Sequence, residues 1–299
     1  MERHILFIVN PNSGKKISEK LITLINKEFP NNIKYQIIVW KTIDYFDEIK
    51  KLINSKIYTD VIAVGGDGTV NQVASSLVNL NISFGIVPAG SGNGLARSLA
   101  ISMNVKKVLQ QIVVGKTQYI DYGTINNKPF FCTSGVGFDA HIGKLFASSK
   151  KRGLKSYVKI IIHELLKYKA KNYTLVFNEK TIQRKAYLIT IANGGQYGND
   201  FYIAPQASLQ DNKLHIVIVK PTGVLGAFTL LNNVLKHKAY KSKFVETFTS
   251  NHIIIKGENK NSVHYDGEPS EIYGDLNFEC VHKGLKVIVG ENFKPSLIL

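Results

Sequence analysis

The residues best suited to chemistry form the segment Gly65-Gly66-Asp67-Gly68-Thr69. It follows the β-branched run Asp60-Val61-Ile62-Ala63-Val64 and precedes the helical pattern Val70-Asn71-Gln72-Val73-Ala74. A strand, a glycine turn and a helix in that order let the backbone approach a ligand closely. They also turn the unpaired N–H groups of the helix start toward phosphate oxygens. Asp67 sharpens this reading, because a carboxylate aimed at a polyphosphate repels it unless a divalent cation or a water lies between. The segment therefore predicts a metal-nucleotide complex. The plainer alternative is a tight strand-to-helix connection in which Asp67 only caps the helix.

Two further turns have the same setting. Pro88-Ala89-Gly90-Ser91-Gly92-Asn93-Gly94 follows the run Ser83 to Val87, and Asn10-Pro11-Asn12-Ser13-Gly14-Lys15 follows Ile5 to Val9. The latter lacks the first glycine of a Walker A loop and is not a P-loop. Three such turns after successive strands are what a nucleotide site at the carboxyl edge of a sheet requires. The elements that must position them are legible up to about residue 125, where β-branched runs (Ile5–Val9, Tyr35–Trp40, Val61–Val64, Ser83–Val87) alternate with helix-length segments. This is the βαβ pattern of a parallel sheet. After one helical piece, Leu154 to Tyr168, the rhythm changes to short runs at Tyr173–Phe177, Ala186–Ala192, Leu214–Val219, Ile253–Lys256, Val263–Tyr265, Leu276–Val281 and Leu285–Val289. They predict an antiparallel, sandwich-like second domain. The expected organisation is an α/β domain over 1–125 and a β-rich domain over 126–299, whose last residues can pack back on the first.

Composition excludes several classes. The 299 residues are 44% hydrophobic, enough for two cores. The start is too quickly interrupted by Asn10-Pro11-Asn12 for a signal peptide, and no apolar run reaches the roughly 20 residues that cross a bilayer. The two cysteines, Cys132 and Cys280, stand in no zinc or disulfide spacing, which fits a cytoplasmic location. The net charge of +16 predicts attraction to polyanions, and the second half carries most of it: 24 basic against 13 acidic residues beyond 125, compared with 14 against 9 before.

Taken together, the three turns resemble the diacylglycerol kinase and sphingosine kinase catalytic family. The likeness continues through Gly135-Val136-Gly137-Phe138-Asp139-Ala140, Asn193-Gly194-Gly195-Gln196-Tyr197-Gly198, Ala204-Pro205-Gln206-Ala207-Ser208-Leu209-Gln210-Asp211 and Val263-His264-Tyr265-Asp266-Gly267-Glu268. The resemblance implies a nucleotide-binding domain like that of the phosphofructokinases and NAD kinases, joined to the β-rich domain, with ATP and a lipid meeting in the cleft. Carried over by motif, Asn10, Pro11, Asn12, Ser13, Gly14, Thr42, Gly65, Gly66, Asp67, Gly68, Thr69, Asn71, Ser91, Gly92 and Asn93 would serve the nucleotide. Either Asp266 or Glu268 would accept the proton of the lipid hydroxyl, with Asp67 and Asp121 as supporting carboxylates. Asp-Gly is also the commonest hairpin turn, so the same residues have a purely structural reading.

The resemblance also implies a structural Mg²⁺ held by the Asp211 carboxylate and the carbonyls of Ser208 and Lys213, an all-oxygen shell. This sequence departs from the family there, with Gln210 where an acid is common and Asn212 where Gly is common. It departs again at Gly94, where many bacterial members carry Asp. Asn can adopt the left-handed conformation that the Asn212 turn needs.

Two basic stretches point to the lipid's source. One runs from Lys144 to Lys171, with Lys150, Lys151, Arg152, Lys155 and Lys159 beside Leu154, Val158, Ile161, Ile162, Leu165 and Leu166 at helical spacing. The other places Lys236, His237, Lys238, Lys241 and Lys243 after the apolar run Val224 to Leu235. Each reads as a surface for anionic headgroups or as an ordinary solvated helix whose stripe packs inward. The expected partner is a lipid presented at a membrane, with peripheral contact at the inner face, no nucleic acid, and room for a homodimer. The competing functions are a soluble NAD kinase-like enzyme, which shares the Gly-Gly-Asp-Gly-Thr turn, and a non-catalytic lipid or nucleic-acid binder. The matches across the second half and the retained Asp67, Asp266 and Glu268 weigh against both.

Overall fold

The computed structural model describes residues 2–13, 17–40, 45–54, 57–148, 163–164, 167–257 and 259–295. They form two units, Met1–Ile120 with Lys283–Pro295, and Asp121–His282. The chain passes from one to the other within strands β5 (Thr117–Ile125) and β16 (Leu276–Ile288).

In the first unit β1 (His4–Val9) lies between β2 (Lys34–Val39) and β3 (Asp60–Gly65), and β4 (Ser83–Pro88) flanks β3. All these pairings are parallel, and Val287 of β16 adds a further parallel pairing to Phe84. Parallel strands covered on both faces need apolar side chains on both, and Ile5 to Val9 and Val61 to Val64 are accordingly buried throughout. The helices α1 (Ile17–Glu28), α2 (Tyr45–Asn54), α3 (Asp67–Ser75), α4 (Gly94–Ser98) and α5 (Val105–Val114) make the connections. The order β2-β1-β3-β4 reverses direction between β1 and β3. The carboxyl ends of those two strands are therefore the topological switch point, where open α/β sheets bind ligands.

The second unit contains a six-stranded antiparallel sheet in the order β12-β11-β10-β7-β14-β15. Its strands are β7 (Thr133–Gly137), β10 (Leu188–Ala192), β11 (Leu214–Val219), β12 (Val245–Ser250), β14 (Asn261–Tyr265) and β15 (Glu268–Ile272). A second antiparallel set joins β8 (Lys171–Phe177), β9 (Lys180–Ala186), β13 (His252–Ile255) and residues 276–279 of β16, while β6 (Lys128–Phe130) pairs with β5. The two sets share a core in which Val136, Ile189, Ile191, Ile216, Ile218 and Val263 meet Leu175, Phe177, Ile253, Ile255 and Phe278. The sandwich-like expectation is met. Helix α6 (Phe138–Ser148) packs against β7, β10, β14 and β15, and helix α7 (Val224–Leu235) follows β11.

Several strands differ from their sequence expectation. β9 (Lys-Thr-Ile-Gln-Arg-Lys-Ala) is largely exposed and carries mostly charged and polar residues, so no apolar run announces it. β7 (Thr-Ser-Gly-Val-Gly) is buried but built of small residues. Ala186 to Ala192 is not one strand, because Ala186 closes β9 and Leu188 opens β10, whereas Leu276–Val281 and Leu285–Val289 belong to a single long strand. Most of the expected helix Leu154–Tyr168, and with it Lys150, Lys151, Arg152, Lys155 and Lys159, lies outside the described residues.

Candidate active site

The first unit brings the three turns together at the carboxyl ends of β1, β3 and β4. Asn10 donates its N–H to the Val64 carbonyl at 3.0 Å and its Nδ2 to Thr69 Oγ1 at 2.8 Å, while its Oδ1 accepts the Asn12 N–H at 2.9 Å. Pro11 and Asn12 stay exposed and Ser13 half-buried beyond it. The glycines are required by contact. A Cβ on Gly65 would stand 2.5 Å from Thr69 Cβ, and one on Gly90 would stand 2.6 Å from Gly66 Cα, so the second and third turns meet backbone to backbone. The N-cap of α3 is Gly66, which has no side chain to cap the helix, so the start of α3 beside Gly68 and Thr69 is a place where an anion can meet backbone N–H groups.

Asp67 is the link between these turns. Its Oδ2 accepts the Asn93 N–H at 3.0 Å and its Oδ1 the Gly94 N–H at 2.8 Å. A carboxylate has about four lone-pair sites, and at least two of these face backbone donors at the start of α4. Asp67 thus caps a helix, but α4 rather than its own. Asn93 takes the left-handed conformation (φ 54°), and its side chain both accepts from the Gly90 N–H at 3.0 Å and donates to the Gly90 carbonyl at 2.9 Å. A Cβ on Gly92 would fall 2.5 Å from Asp67 Oδ2. Ser91 is exposed at the tip of this loop, and Asn71 is buried on α3. Gly14 and Thr42 lie outside the described residues.

In the second unit Asp266 and Gly267 form the two-residue loop between β14 and β15, with Tyr265 paired to Glu268. Both loop residues have positive φ, 49° and 85°, as the favoured tight hairpin turn demands. The hairpin reading therefore holds, and it coexists with an unusual side-chain arrangement. Asp266 Oδ2 accepts the Phe131 N–H at 2.8 Å, and Oδ1 accepts those of Cys132 (2.7 Å) and Thr133 (3.1 Å). Its own N–H donates to the Thr133 carbonyl at 2.8 Å. Taking up a substrate proton would require Asp266 to loosen this set. Glu268, at the first position of β15, is exposed and makes no side-chain hydrogen bond or ion pair with a described residue.

Asn193 braces the same segment from behind. Its Nδ2 donates to the carbonyls of Phe131 (2.8 Å) and Asp121 (2.9 Å), while the N–H groups of Asn193 and Gly194 both reach the Cys132 carbonyl. Asp121 is fully buried, and its carboxylate accepts the Asn212 N–H at 2.7 Å and meets His282 Nδ1 at 2.8 Å. The Asp121 backbone therefore joins the Asp266 network through Asn193, while its side chain steadies the Asp211 turn. In that turn Asn212 adopts the left-handed conformation (φ 58°) in place of the family's Gly. Asp211 accepts the Lys213 N–H at 3.1 Å and faces His215 Nε2 at 3.4 Å.

Among the described residues no group of three or more His, Cys, Asp or Glu side chains could hold a metal. A cation here would rely on one carboxylate and the Ser208 and Lys213 carbonyls, oxygen donors that suit a hard ion such as Mg²⁺.

Asp139, Asn193 and His264 stand in the family-like segments without a role expected of them, and His282 stands outside those segments. For His264 a signal existed, since in a strand residues i and i+1 face opposite ways. With Val263 in the core, His264 must point to the other face, where a polar residue needs a partner.

Comparison with known proteins agrees with this picture. Residues 4–125 match the diacylglycerol kinase catalytic domain, and residues 133–289 match the YegS C-terminal, NAD kinase β-sandwich-like domain. An Enterobacter protein named "Probable lipid kinase YegS-like" is 30% identical over 239 residues, a match covering 76% of this chain and 78% of that one. A Synechocystis protein is 26% identical over 283 residues, 90% of this chain, and the match spans 62% of that protein's length. A crystal structure of a diacylglycerol kinase from Bacillus anthracis shares the fold, with a TM-score of 0.74, 20% identity and 98% of each chain covered.

Proposed function

This chain belongs to the diacylglycerol kinase catalytic family in its YegS-like form, and from that premise we propose that it transfers the γ-phosphoryl group of ATP to a hydroxyl of diacylglycerol, a sphingoid base or a related lipid. The observation that carries the reading is the division of labour in the Asp266-Gly267-Glu268 turn. Asp266 is spent on three backbone N–H groups, and Glu268 is exposed and makes no side-chain hydrogen bond or ion pair with a described residue.

In this reading Glu268 accepts the proton of the lipid hydroxyl, whose oxygen forms the new bond to the γ-phosphorus as the bond to the bridging oxygen of ADP breaks. The start of α3 and the backbone of Gly65 to Thr69 receive the phosphates, and Asp67 keeps that turn joined to Asn93 and Gly94. Asn10 and Thr69 hold the first turn against the second. Mg²⁺, when bound, would neutralise phosphate charge at the nucleotide and brace the Asp211 turn through Asp211, Ser208 and Lys213.

The lipid would be met at an anionic membrane surface. Helix α7 is apolar with Phe228 exposed, the exposed Lys236, Lys238, Lys241 and Lys243 follow it, and no acid occurs between residues 221 and 245. Such a mixture of cations and an exposed aromatic suits anionic headgroups. No helix among the described residues is long and apolar enough to cross a bilayer.

The test is transfer of radiolabelled γ-phosphate from ATP with Mg²⁺ into detergent-dispersed diacylglycerol, monoacylglycerol, sphingosine, ceramide and phosphatidylglycerol, with NAD as the soluble control. One labelled lipid supports the reading and names the substrate. Label in NAD alone, or in nothing, refutes it.

A further inference from the structure

We propose that Asp139 and His264, a buried ion pair beneath the hairpin, act as positioning residues for Glu268, fixing the Asp266-Gly267-Glu268 turn against helix α6. The proposal rests on the reading of Glu268 as the base.

The pair is made by elements far apart in sequence. Asp139 sits in the first turn of α6, and its Oδ2 accepts the hydroxyls of Thr190 on β10 (2.7 Å) and Tyr197 (2.8 Å). The same oxygen lies 3.0 Å from His264 Nε2 on β14, with the two side chains 5% and 3% exposed. One carboxylate oxygen thus gathers α6, β10, β14 and the segment after β10. Gly135 on β7 leaves the room this needs, since a Cβ there would stand 3.1 Å from Asp139 Oδ2.

The helix so anchored passes directly behind the turn. A Cβ on Gly143 would stand 3.7 Å from the Gly267 carbonyl, and α6 packs on both strands of the hairpin. On its other side the turn is held by the Asp266 carboxylate on Phe131, Cys132 and Thr133. Asp266 therefore fixes one flank of the loop, and the ion pair, through α6 and β14, fixes the other. His264 and the loop are also covalently close, with Tyr265 alone between His264 and Asp266. The His264 carbonyl in turn accepts the Ser134 hydroxyl at 2.7 Å.

Structural need alone accounts poorly for the arrangement. The pair meets at ion-pair distance without a well-aligned hydrogen bond, and Asp139 Oδ1 and His264 Nδ1 are buried without partners among the described residues. Replacing a buried ion pair by apolar side chains of similar volume is often neutral for stability, so the use of this pair is to fix geometry. Burial disfavours both charges. For Asp139 it is outweighed by His264, Thr190 and Tyr197, which bring its carboxyl below the ordinary value. For His264 it is outweighed by Asp139 and, from the turn, Asp266, which raise its imidazole. Among the described residues the other ionisable groups facing the pair are phenols: Tyr197, with its ring 6.3 Å from that of His264, and Tyr168, pushed up by burial and by the Asp139 charge.

The experiment uses the full chain and the lipid that the wild type labels, with the variants H264Q, D139N, E268Q and H264Q/E268Q, each checked by thermal melting. Single substitution of His264 or Asp139 is expected to lower kcat about ten- to a hundredfold, the scale of a small misplacement, while KM for ATP stays within about twofold. Adding H264Q to E268Q should cause no further loss, because the pair acts through Glu268. Unchanged kcat in H264Q, or an equal further loss in the E268Q background, overturns the proposal. Should the variants not fold, NMR titration of His264 in the wild type decides: kcat that falls as the imidazole deprotonates, with KM for ATP constant, supports positioning, and kcat indifferent to the ionisation of His264 overturns it. If the wild type labels no lipid, the kinase reading fails and takes this proposal with it; a labelled lipid with an indifferent His264 defeats the proposal alone.

Discussion

The carboxylate of Asp67 accepts the backbone N–H of Gly94 at 2.8 Å, so a residue that opens one helix caps another 27 positions later. With the Asn93 N–H also bound, two charge-assisted hydrogen bonds hold the second glycine turn to the third. Asp67→Ala should therefore do two things. It should abolish phosphoryl transfer, and it should lower stability by about 1 to 3 kcal/mol, since hydrogen bonds to charged groups contribute on that scale. Activity and thermal melting measured together check both, and a variant with wild-type melting and full turnover would show that neither bond matters.

Asp266 and Glu268, two residues apart, are predicted to fail differently. Asp266→Ala strands the N–H groups of Phe131, Cys132 and Thr133 and should destabilise the second unit by about 2 kcal/mol or more. Glu268→Gln should leave melting unchanged and lower kcat by roughly 10²- to 10⁴-fold, the ordinary contribution of a general base, with little change in KM for ATP. Urea unfolding alongside steady-state kinetics separates the two. Equal loss of kcat with equal loss of stability in both variants would remove the assignment of Glu268 as base.

The contrast shows what was legible in the sequence. Glycine spacing and strand-turn-helix order located the Asp67 turn, and the parallel sheet followed from the fully apolar runs around Phe7 and Ile62. The family resemblance located Asp266 and Glu268. What stayed hidden was which backbone donors each carboxylate meets, because periodicity reports an element and its face and is silent on contacts across 27 or 135 positions. Thus Asp67 read as facing its own helix or a metal, although it holds Asn93 and Gly94. Asp266 and Glu268 read as interchangeable until the Phe131–Thr133 backbone distinguished them. Strands such as Lys180–Ala186 stayed hidden for a different reason, since about half of their side chains face solvent and are polar or charged.

The Asp139–His264 pair makes stability depend on pH at both ends. His264 has a raised value in the folded chain, so its contribution is complete below the unfolded imidazole value and disappears as pH rises through the raised one. Asp139 has a lowered value, so its contribution is present above the unfolded carboxyl value and disappears as pH falls through the lowered one. Melting temperature should therefore decline on the alkaline side of the ordinary histidine range more steeply in the wild type than in H264Q/D139N, in which neither group titrates. Parallel alkaline limbs in the two proteins would show that the pair contributes nothing to this dependence.

The Asp211 turn offers a separate test of cation binding. Asn212 stands in the left-handed conformation with its N–H on Asp121, which fixes the backbone of the loop beside Asp211. An ion that binds only the folded chain stabilises it in proportion to the logarithm of its concentration over the dissociation constant, about 2.7 kcal/mol at a hundredfold excess. Mg²⁺ added without nucleotide should thus raise the melting temperature of the wild type, and Asp211→Ala should abolish that rise. Asn212→Gly should preserve it, because glycine adopts the same backbone freely, whereas Asn212→Val should cost roughly 1 to 2 kcal/mol in the metal-free protein. A Mg²⁺-dependent rise that persists in Asp211→Ala would place the ion elsewhere in the chain.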